Sequence, residues 1–186
     1  MHNLKAFKEQ KHKIFMTHLN IEFKARTNNL KELEEKLLSL NPILIGEDHQ
    51  KDTYYDVSIG RLKLREGNIE NALIWYQRED VGGAKQSDIL LYKHAPDDAL
   101  KKILIKLHGI KIIVDKIRKI YFVENVKFHF DVVEGLGTFV EVEAIDSTGE
   151  IGIEKLKEQC NFYINFFQIK GEDFMKKSYS DMMMEL

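Results

Sequence analysis

Three short stretches of this chain alternate ionic with apolar side chains: Ile21-Glu-Phe-Lys-Ala-Arg26, Arg61-Leu-Lys-Leu-Arg65 and Phe139-Val-Glu-Val-Glu143. Successive side chains of a β-strand point to opposite faces, so each stretch presents one charged row and one apolar row. The first row carries both signs, the second is wholly basic and the third is acidic. Carboxylates hold hard divalent cations, whereas Lys and Arg hold phosphate oxygens. Rows of both kinds around one enclosed space would suit a divalent cation and a polyanion together. Over 110–123, Lys116 and Arg118 share a face; over 125–133, Lys127, His129 and Asp131 lie opposite Val126, Phe128 and Phe130. The apolar rows need cover from helices, which turns the charged rows inward. A buried row of like charge is costly unless something of opposite sign meets it, and a triphosphate in a water-filled tunnel would do so. Any one alternating strand is the ordinary solvated face of a sheet. The agreement of five segments, at 22–24, 61–65, 78, 116–118 and 141–143, is what argues for a site.

The elements that must position these rows are legible as alternating strands, turns and apolar stripes. Asn28 or Asn29 can cap a helix with Leu30, Leu33, Leu37 and Leu40 on one stripe, closed by Pro42. A short strand is expected over 50–56, then the basic strand 61–65, a strand at 72–78, a turn at Gly82-Gly83 and a strand at 87–92. Pro96-Asp97-Asp98 starts a second helix, with Leu100, Ile103, Leu104 and Leu107 inward and Gly109 as its C-cap. Strands follow over 110–123, 125–133 and 138–145. A third helix follows Ser147-Thr148-Gly149 and runs to about Phe167, and the tail, with Ser178 to Asp181 and Met182 to Met184, reads as packing. Eight or so strands with three helices suggest an α+β fold, an antiparallel barrel with helices outside. Residues 1–18 form a basic extension, in which Lys5, Lys8, Lys11 and Lys13 interleave with Leu4, Phe7, Ile14 and Phe15. The extension reads as a helix packed on the body rather than a membrane-surface segment. Residues 19–186 are the tunnel domain.

Composition narrows the function classes. At 186 residues the chain suits one domain with a real core. Its net charge of −2, in spite of basic strands, requires compensating acids elsewhere and disfavours nucleic acid as a partner. Cys160 is the only cysteine, which excludes an intramolecular disulfide and a Cys-based zinc cluster and suits a reducing cytoplasm. No apolar run approaches the roughly 20 residues of a membrane span, and the first residues do not read as a signal peptide, so the expected location is cytoplasmic, with no membrane partner. Self-association into a homodimer stays open.

Read in order, several motifs resemble those of CYTH proteins of the triphosphate tunnel metalloenzyme superfamily, in the branch similar to class IV adenylyl cyclases. They are Asn20-Ile-Glu-Phe-Lys-Ala-Arg26, Asp52-Thr-Tyr54, Gly60-Arg-Leu-Lys-Leu-Arg-Glu66, Tyr76-Gln-Arg78, Ser87-Asp88, Val114-Asp-Lys-Ile-Arg118, the run His129 to Glu143 and Ser178-Tyr-Ser-Asp181. The resemblance implies a closed eight-stranded antiparallel barrel whose tunnel binds a triphosphate compound, ATP or inorganic triphosphate, with Mg2+ or Mn2+. It implies Glu22, Glu141 and Glu143 as metal ligands, with Asp131 a further acid near the metal. Lys24, Lys63, Arg65, Arg78, Lys116 and Arg118 would hold phosphate oxygens, with Lys85 a weaker candidate because it reads as part of a turn; Lys116, Arg118 and Asp131 are the catalytic candidates. Arg26 and Arg61 fall at strand ends, and His129 is either near the substrate or a hydrogen-bonded structural residue. One departure stands out: the family's first strand reads Glu-x-Glu-x-Lys, and Asn20 occupies its first position, which removes one formal negative charge. The implied reactions are cyclisation of ATP to cyclic AMP and diphosphate, or hydrolysis of inorganic triphosphate, thiamine triphosphate or a nucleotide. A non-catalytic polyphosphate-binding module is the third reading.

Overall fold

The computed structural model describes residues 19–78 and 83–186, with every side chain among them except those of Arg78 and Gln86. The extension 1–18 and most of the turn expected at Gly82-Gly83 lie outside the described residues. Eight strands form the body: β1 (Leu19–Arg26), β2 (Ile43–Tyr55), β3 (Arg61–Glu66), β4 (Ala72–Arg78), β5 (Lys85–Lys93), β6 (Ile110–Val123), β7 (Val126–Val133) and β8 (Gly137–Asp146). They pair antiparallel in the order β1-β5-β4-β3-β2-β6-β7-β8 and close into a barrel. Closure joins β8 to the full length of β1, from Leu19 opposite Asp146 to Arg26 opposite Phe139. The other seam is short, because β5 meets β1 only at Asn20, Ile21 and Glu22. Where β5 diverges, a later segment takes over: Met175 N–H donates to the Lys24 carbonyl at 2.8 Å, and Phe174 bridges to Ala25.

The alternation read from sequence sorts inside from outside. Ile21, Phe23 and Ala25 of β1, Val126, Phe128 and Phe130 of β7 and Val140, Val142 and Ala144 of β8 point outward into the main core. Two helices cover them, α1 (Leu30–Leu38) through Leu33 and Leu37, and α3 (Ile153–Phe166) through Leu156, Cys160 and Tyr163. Phe128 meets Tyr163 edge to face at 4.7 Å, an arrangement that places a ring edge on a π face. The third covering helix, α2 (Asp98–His108), is capped by Asp97, which accepts from Ala99 N–H at 2.7 Å. It lays Leu100 and Leu104 over Tyr55 and Leu64.

Several expectations need correction. The strand expected at 50–56 begins at Ile43 and pairs with β6 along its whole length, from Ile43 to Tyr55; the mixed Gly-Glu-Asp-His sequence of its first half hides the extended backbone. Lys85 is the first residue of β5, not part of a turn, and is buried. On α2, Ile103 and Leu107 are exposed, so its contact stripe is narrower than the leucine spacing suggests. The third helix starts at Ile153, because Asp146 accepts hydrogen bonds from the backbone N–H groups of Thr148, Gly149, Glu150, Ile151 and Gly152 and holds that stretch as a turn. The tail folds into a further short helix, α4 (Tyr179–Met183). It packs into the end of the barrel where β7 turns into β8, with Tyr179 and Met182 against Val114, Val133, Leu136 and Phe139.

Candidate active site

The inward rows of the strands meet around a cavity of about 410 Å3, within the usual range of small-molecule sites of about 300–1,000 Å3. Glu22 and Lys24 from β1, Lys63 and Arg65 from β3, Lys116 and Arg118 from β6 and Glu141 and Glu143 from β8 all line it. Arg78 ends β4, and its side chain lies outside the described residues. Arg26 and Arg61 sit at the rim, where Arg26 donates to the Leu136 carbonyl at 2.6 Å and Arg61 pairs with Asp181 at 2.7 Å.

The basic row has a partner inside the protein. Asp52, on the inward face of β2 and 1% exposed, takes Lys63 at 2.8 Å and Lys116 at 2.7 Å on one carboxylate oxygen. Arg65 grips the same carboxylate with two donors, at 2.8 and 3.0 Å. Burial alone would raise the Asp52 carboxyl, but Arg65, Lys116 and Lys63 outweigh it and hold the group well below the usual carboxylate range. The expectation that a bound triphosphate is what neutralises the buried cations is therefore corrected, since the chain supplies counter-ions of its own. Glu70 is another, pairing with Arg65 at 2.9 Å and Lys127 at 2.5 Å. It sits in the turn between β3 and β4. Asp48 fixes that turn by accepting from the Ile69 and Glu70 N–H groups, each at 2.9 Å. A Cβ on Gly67 would stand 2.6 Å from the same Asp48 carboxylate, so the close approach needs glycine.

Arg118 is held in a second cluster. Asp131 binds it through both oxygens, at 2.7 and 2.6 Å, and Glu141 adds a contact at 2.8 Å. The Tyr179 hydroxyl donates to Asp131 at 2.8 Å, and Lys24 lies 3.8 Å above the Tyr179 ring. The tail therefore does more than pack: it delivers an aromatic hydroxyl to the charged interior. With both its oxygens on Arg118 and one shared with Tyr179, Asp131 is placed to orient the guanidinium.

Beyond Arg118 the balance changes sign. Glu141 also meets Lys24 at 3.0 Å, and His129 Nδ1 lies 3.2 Å from Glu141 and 3.4 Å from Glu143. Ligand atoms of His129, Glu141 and Glu143 all fall within 4.8 Å of one another. Glu22 stands opposite Glu143 across the β1–β8 pairing. Burial and then the neighbouring Glu141, with Glu22 adding to them, push the Glu143 carboxyl up to about 7 against the pull of Lys127. Burial, with Arg118 and Lys127, pushes His129 down to about 3 in spite of Glu141. Glu143 forms no salt bridge with a Lys or Arg among the described residues. Asn20 and Ser87, opposite each other on β1 and β5, bury Asn20 Oδ1 and Ser87 Oγ with no hydrogen-bond partner among the described residues. Clustered carboxylates and orphaned oxygens are the donor set that a divalent cation takes, so the residues fit a metal.

The remaining wall is apolar. Ala72, Ile74 and Tyr76 of β4 and Ile89 and Leu91 of β5 turn inward to the same cavity. Sequence reading gave no role to Asp52, Glu70, Tyr179 or this wall. Asp52 shares the parity of Tyr54 on its strand, but its three partners appear only once the registers of β2, β3 and β6 are fixed.

The chain is similar to several known proteins. A protein of Methanocaldococcus jannaschii provisionally named an adenylate cyclase is 26% identical, across 88% of this chain and 98% of its own. A solved protein of Pyrococcus horikoshii is 25% identical with a TM-score of 0.71, covering 87% of this chain and 98% of that one. A Hippeastrum protein, named for adenylyl cyclase and found to have a dominant triphosphatase activity, shares the fold at 14% identity with a TM-score of 0.58, over 89% of this chain and 93% of its own. The family model described as the CYTH domain matches residues 18–179, the span that runs from the first strand of the barrel to the tyrosine at its closed end, and the chain belongs to that family.

Proposed function

We propose that the tunnel carries out metal-dependent chemistry on a nucleoside triphosphate, converting ATP to cyclic AMP and diphosphate. One arrangement supports this reading: cations, carboxylates and an apolar wall line the same cavity. Inorganic triphosphate has no use for Ala72, Ile74, Ile89 and Leu91, whereas a ribose and purine would cover them. Lys24, Lys63, Arg65, Lys116 and Arg118 hold the phosphate oxygens, and Lys85 is a further candidate at the start of β5. Their fixed positive charge stabilises the negative charge that develops on diphosphate as the bond to the α-phosphorus breaks. Asp131 and Tyr179 keep the Arg118 guanidinium oriented for that task. Glu22, Glu141 and Glu143 would hold Mg2+ or Mn2+. The ion, when bound, supplies Lewis acidity to the α-phosphate and lowers the pKa of the ribose 3′ hydroxyl.

The same fold carries a dominant triphosphatase in Hippeastrum, so hydrolysis is the alternative that the assay must separate. Purified protein is incubated with ATP, inorganic triphosphate or thiamine triphosphate, with Mg2+ or Mn2+, and the products are resolved by chromatography. Cyclic AMP from ATP is expected. Orthophosphate as the main product would replace the cyclase reading with a triphosphatase, and tight binding without turnover would make the tunnel a polyphosphate-binding module.

A further inference from the structure

We infer that Lys127 is a further cation for the triphosphate, paired with Glu70 until a ligand phosphate takes the place of that carboxylate. The inference rests on the triphosphate reading above and adds to it a binding residue and the exchange that frees it. Its basis is an ion pair that crosses the tunnel. Lys127 and Glu70 both line the cavity and meet at 2.5 Å. Glu70 comes from the turn after β3, and β3 lies three strand positions from β7 round the eight-stranded barrel. The pair therefore spans the lumen, and a polyanion that fills the cavity must meet it.

Two observations make Lys127 the member that moves. The first is what each partner keeps when the pair parts. Glu70 is fixed from below, because Asp48 accepts from the Ile69 and Glu70 N–H groups. Its carboxylate also takes Arg65 at 2.9 Å and the Gln50 amide at 3.1 Å, so the loss of Lys127 leaves it paired. Lys127 has Glu70 as its one ion-pair partner among the described residues, and its charge rides on a flexible four-carbon stem with three donors. The second observation is exposure. The carboxylates that hold Lys63, Lys116 and Arg118, Asp52 and Asp131, are at most 1% exposed, whereas the side chains of Glu70 and Lys127 are 26% and 14% exposed. An ion pair in touch with water parts at lower cost than a buried one, so this cation is the readiest to change partners.

The exchange also completes the site. Lys24 lies on β1, Lys63 and Arg65 on β3 and Lys116 and Arg118 on β6. Lys127 adds β7, so that cations surround a threaded polyanion instead of lining part of its circumference.

Titration calorimetry of the full chain with inorganic tripolyphosphate, and again with ATP, tests this. Lys127→Gln removes the charge and should weaken binding by about tenfold or more, the scale of one hydrogen bond to a charged group. Glu70→Gln removes the competitor and should strengthen binding by about threefold, the scale of one partly exposed ion pair. A mere brace between β7 and the turn predicts the same sign for both variants, since each breaks the same contact. Unchanged affinity in a folded Lys127→Gln protein, or unchanged or weaker binding in Glu70→Gln, overturns the inference and leaves the triphosphate reading standing. Failure of the wild type to bind either ligand would remove both. Should Lys127→Gln not fold, the sign of the change in Glu70→Gln decides alone.

Discussion

Two clusters along one tunnel solve the problem of buried charge in opposite ways. Around Asp52, three cations converge on a single carboxylate at 2.7 to 3.0 Å, and the ion pairs are complete without any ligand. Around Glu143, carboxylates from β1 and β8 are set side by side, and no Lys or Arg forms a salt bridge with Glu143 among the described residues. The difference separates what the fold needs from what the chemistry needs. A protein that left Lys63, Arg65 and Lys116 bare would have trouble folding before its substrate arrived, and Asp52 removes that difficulty. An incoming phosphate therefore competes with Asp52 for the same donors, while an incoming cation meets in Glu143 a carboxylate that no Lys or Arg among the described residues bridges.

The strongest blow to the compensated end is Asp52→Ala. It leaves three buried cations short of a partner and should cost about 3–5 kcal/mol of stability, the usual scale for breaking a buried pair. Chemical denaturation of the ligand-free protein measures it, and a loss below about 1 kcal/mol would show that the cluster is not what holds these cations. Next in size is binding rather than folding. Arg65→Ala or Arg118→Ala should weaken triphosphate affinity by about 1.5–3 kcal/mol, as expected for hydrogen bonds to a charged group; titration calorimetry reads the change, and unaltered affinity in both would take the cations out of the site.

At the acidic end the sign reverses. The Glu143 carboxyl is pushed up to about 7 in the folded chain against an ordinary 4.5, so at pH 8 it is ionised at a cost in stability. Glu143→Gln should therefore stabilise the ligand-free protein at pH 8 by up to about 3 kcal/mol, given about 1.4 kcal/mol per pKa unit, and should diminish the rise in melting temperature that Mn2+ produces in the wild type. Destabilisation at pH 8 would contradict the cost of that buried charge.

The smallest effect is a cancellation. Glu143 contributes stability that is full below 4.5 and lost as pH rises through 7, whereas His129, lowered from 6.5 to about 3, contributes stability that is full above 6.5 and lost as pH falls. Between pH 7 and 5 the two slopes oppose, so the melting temperature of the ligand-free wild type should be nearly flat. His129→Asn should tilt the profile upward toward acid and Glu143→Gln downward, and parallel profiles for all three proteins would refute the pairing of these groups.

How much of this was readable before folding follows from how local each signal is. Alternation along β1, β3 and β8 shows which side chains share a face, and closure under helices is enough to turn Glu22, Lys24, Lys63, Arg65, Glu141 and Glu143 inward. Register is not local. That Asp52 lies opposite both Arg65 and Val114, with Lys116 one inward step beyond, depends on β2 pairing with β3 on one side and β6 on the other. Glu70 sits in a turn where neither period applies, and Tyr179 arrives from a short tail helix whose sequence reads as packing. The apolar wall escaped notice for a different reason. Ala72, Ile74 and Tyr76 look like core, and they do join a core cluster with Tyr179 and Met182 of α4, but the same side chains also line the cavity.

The barrel is joined along β1 and β8, and Glu22 faces Glu143 across that joint. Asp52 and Arg65, by contrast, are neighbours on the β2–β3 hairpin. Segments far apart in a chain pay more loop entropy to meet and assemble more slowly than neighbours do. During synthesis, the Asp52–Arg65 pair has everything it needs soon after residue 66 leaves the ribosome, while the acidic seam waits for a strand made some eighty residues later. Under the metal-dependent reading proposed above, metal uptake would be tied to the final closing of the barrel, and a bound paramagnetic ion would time the last step of folding.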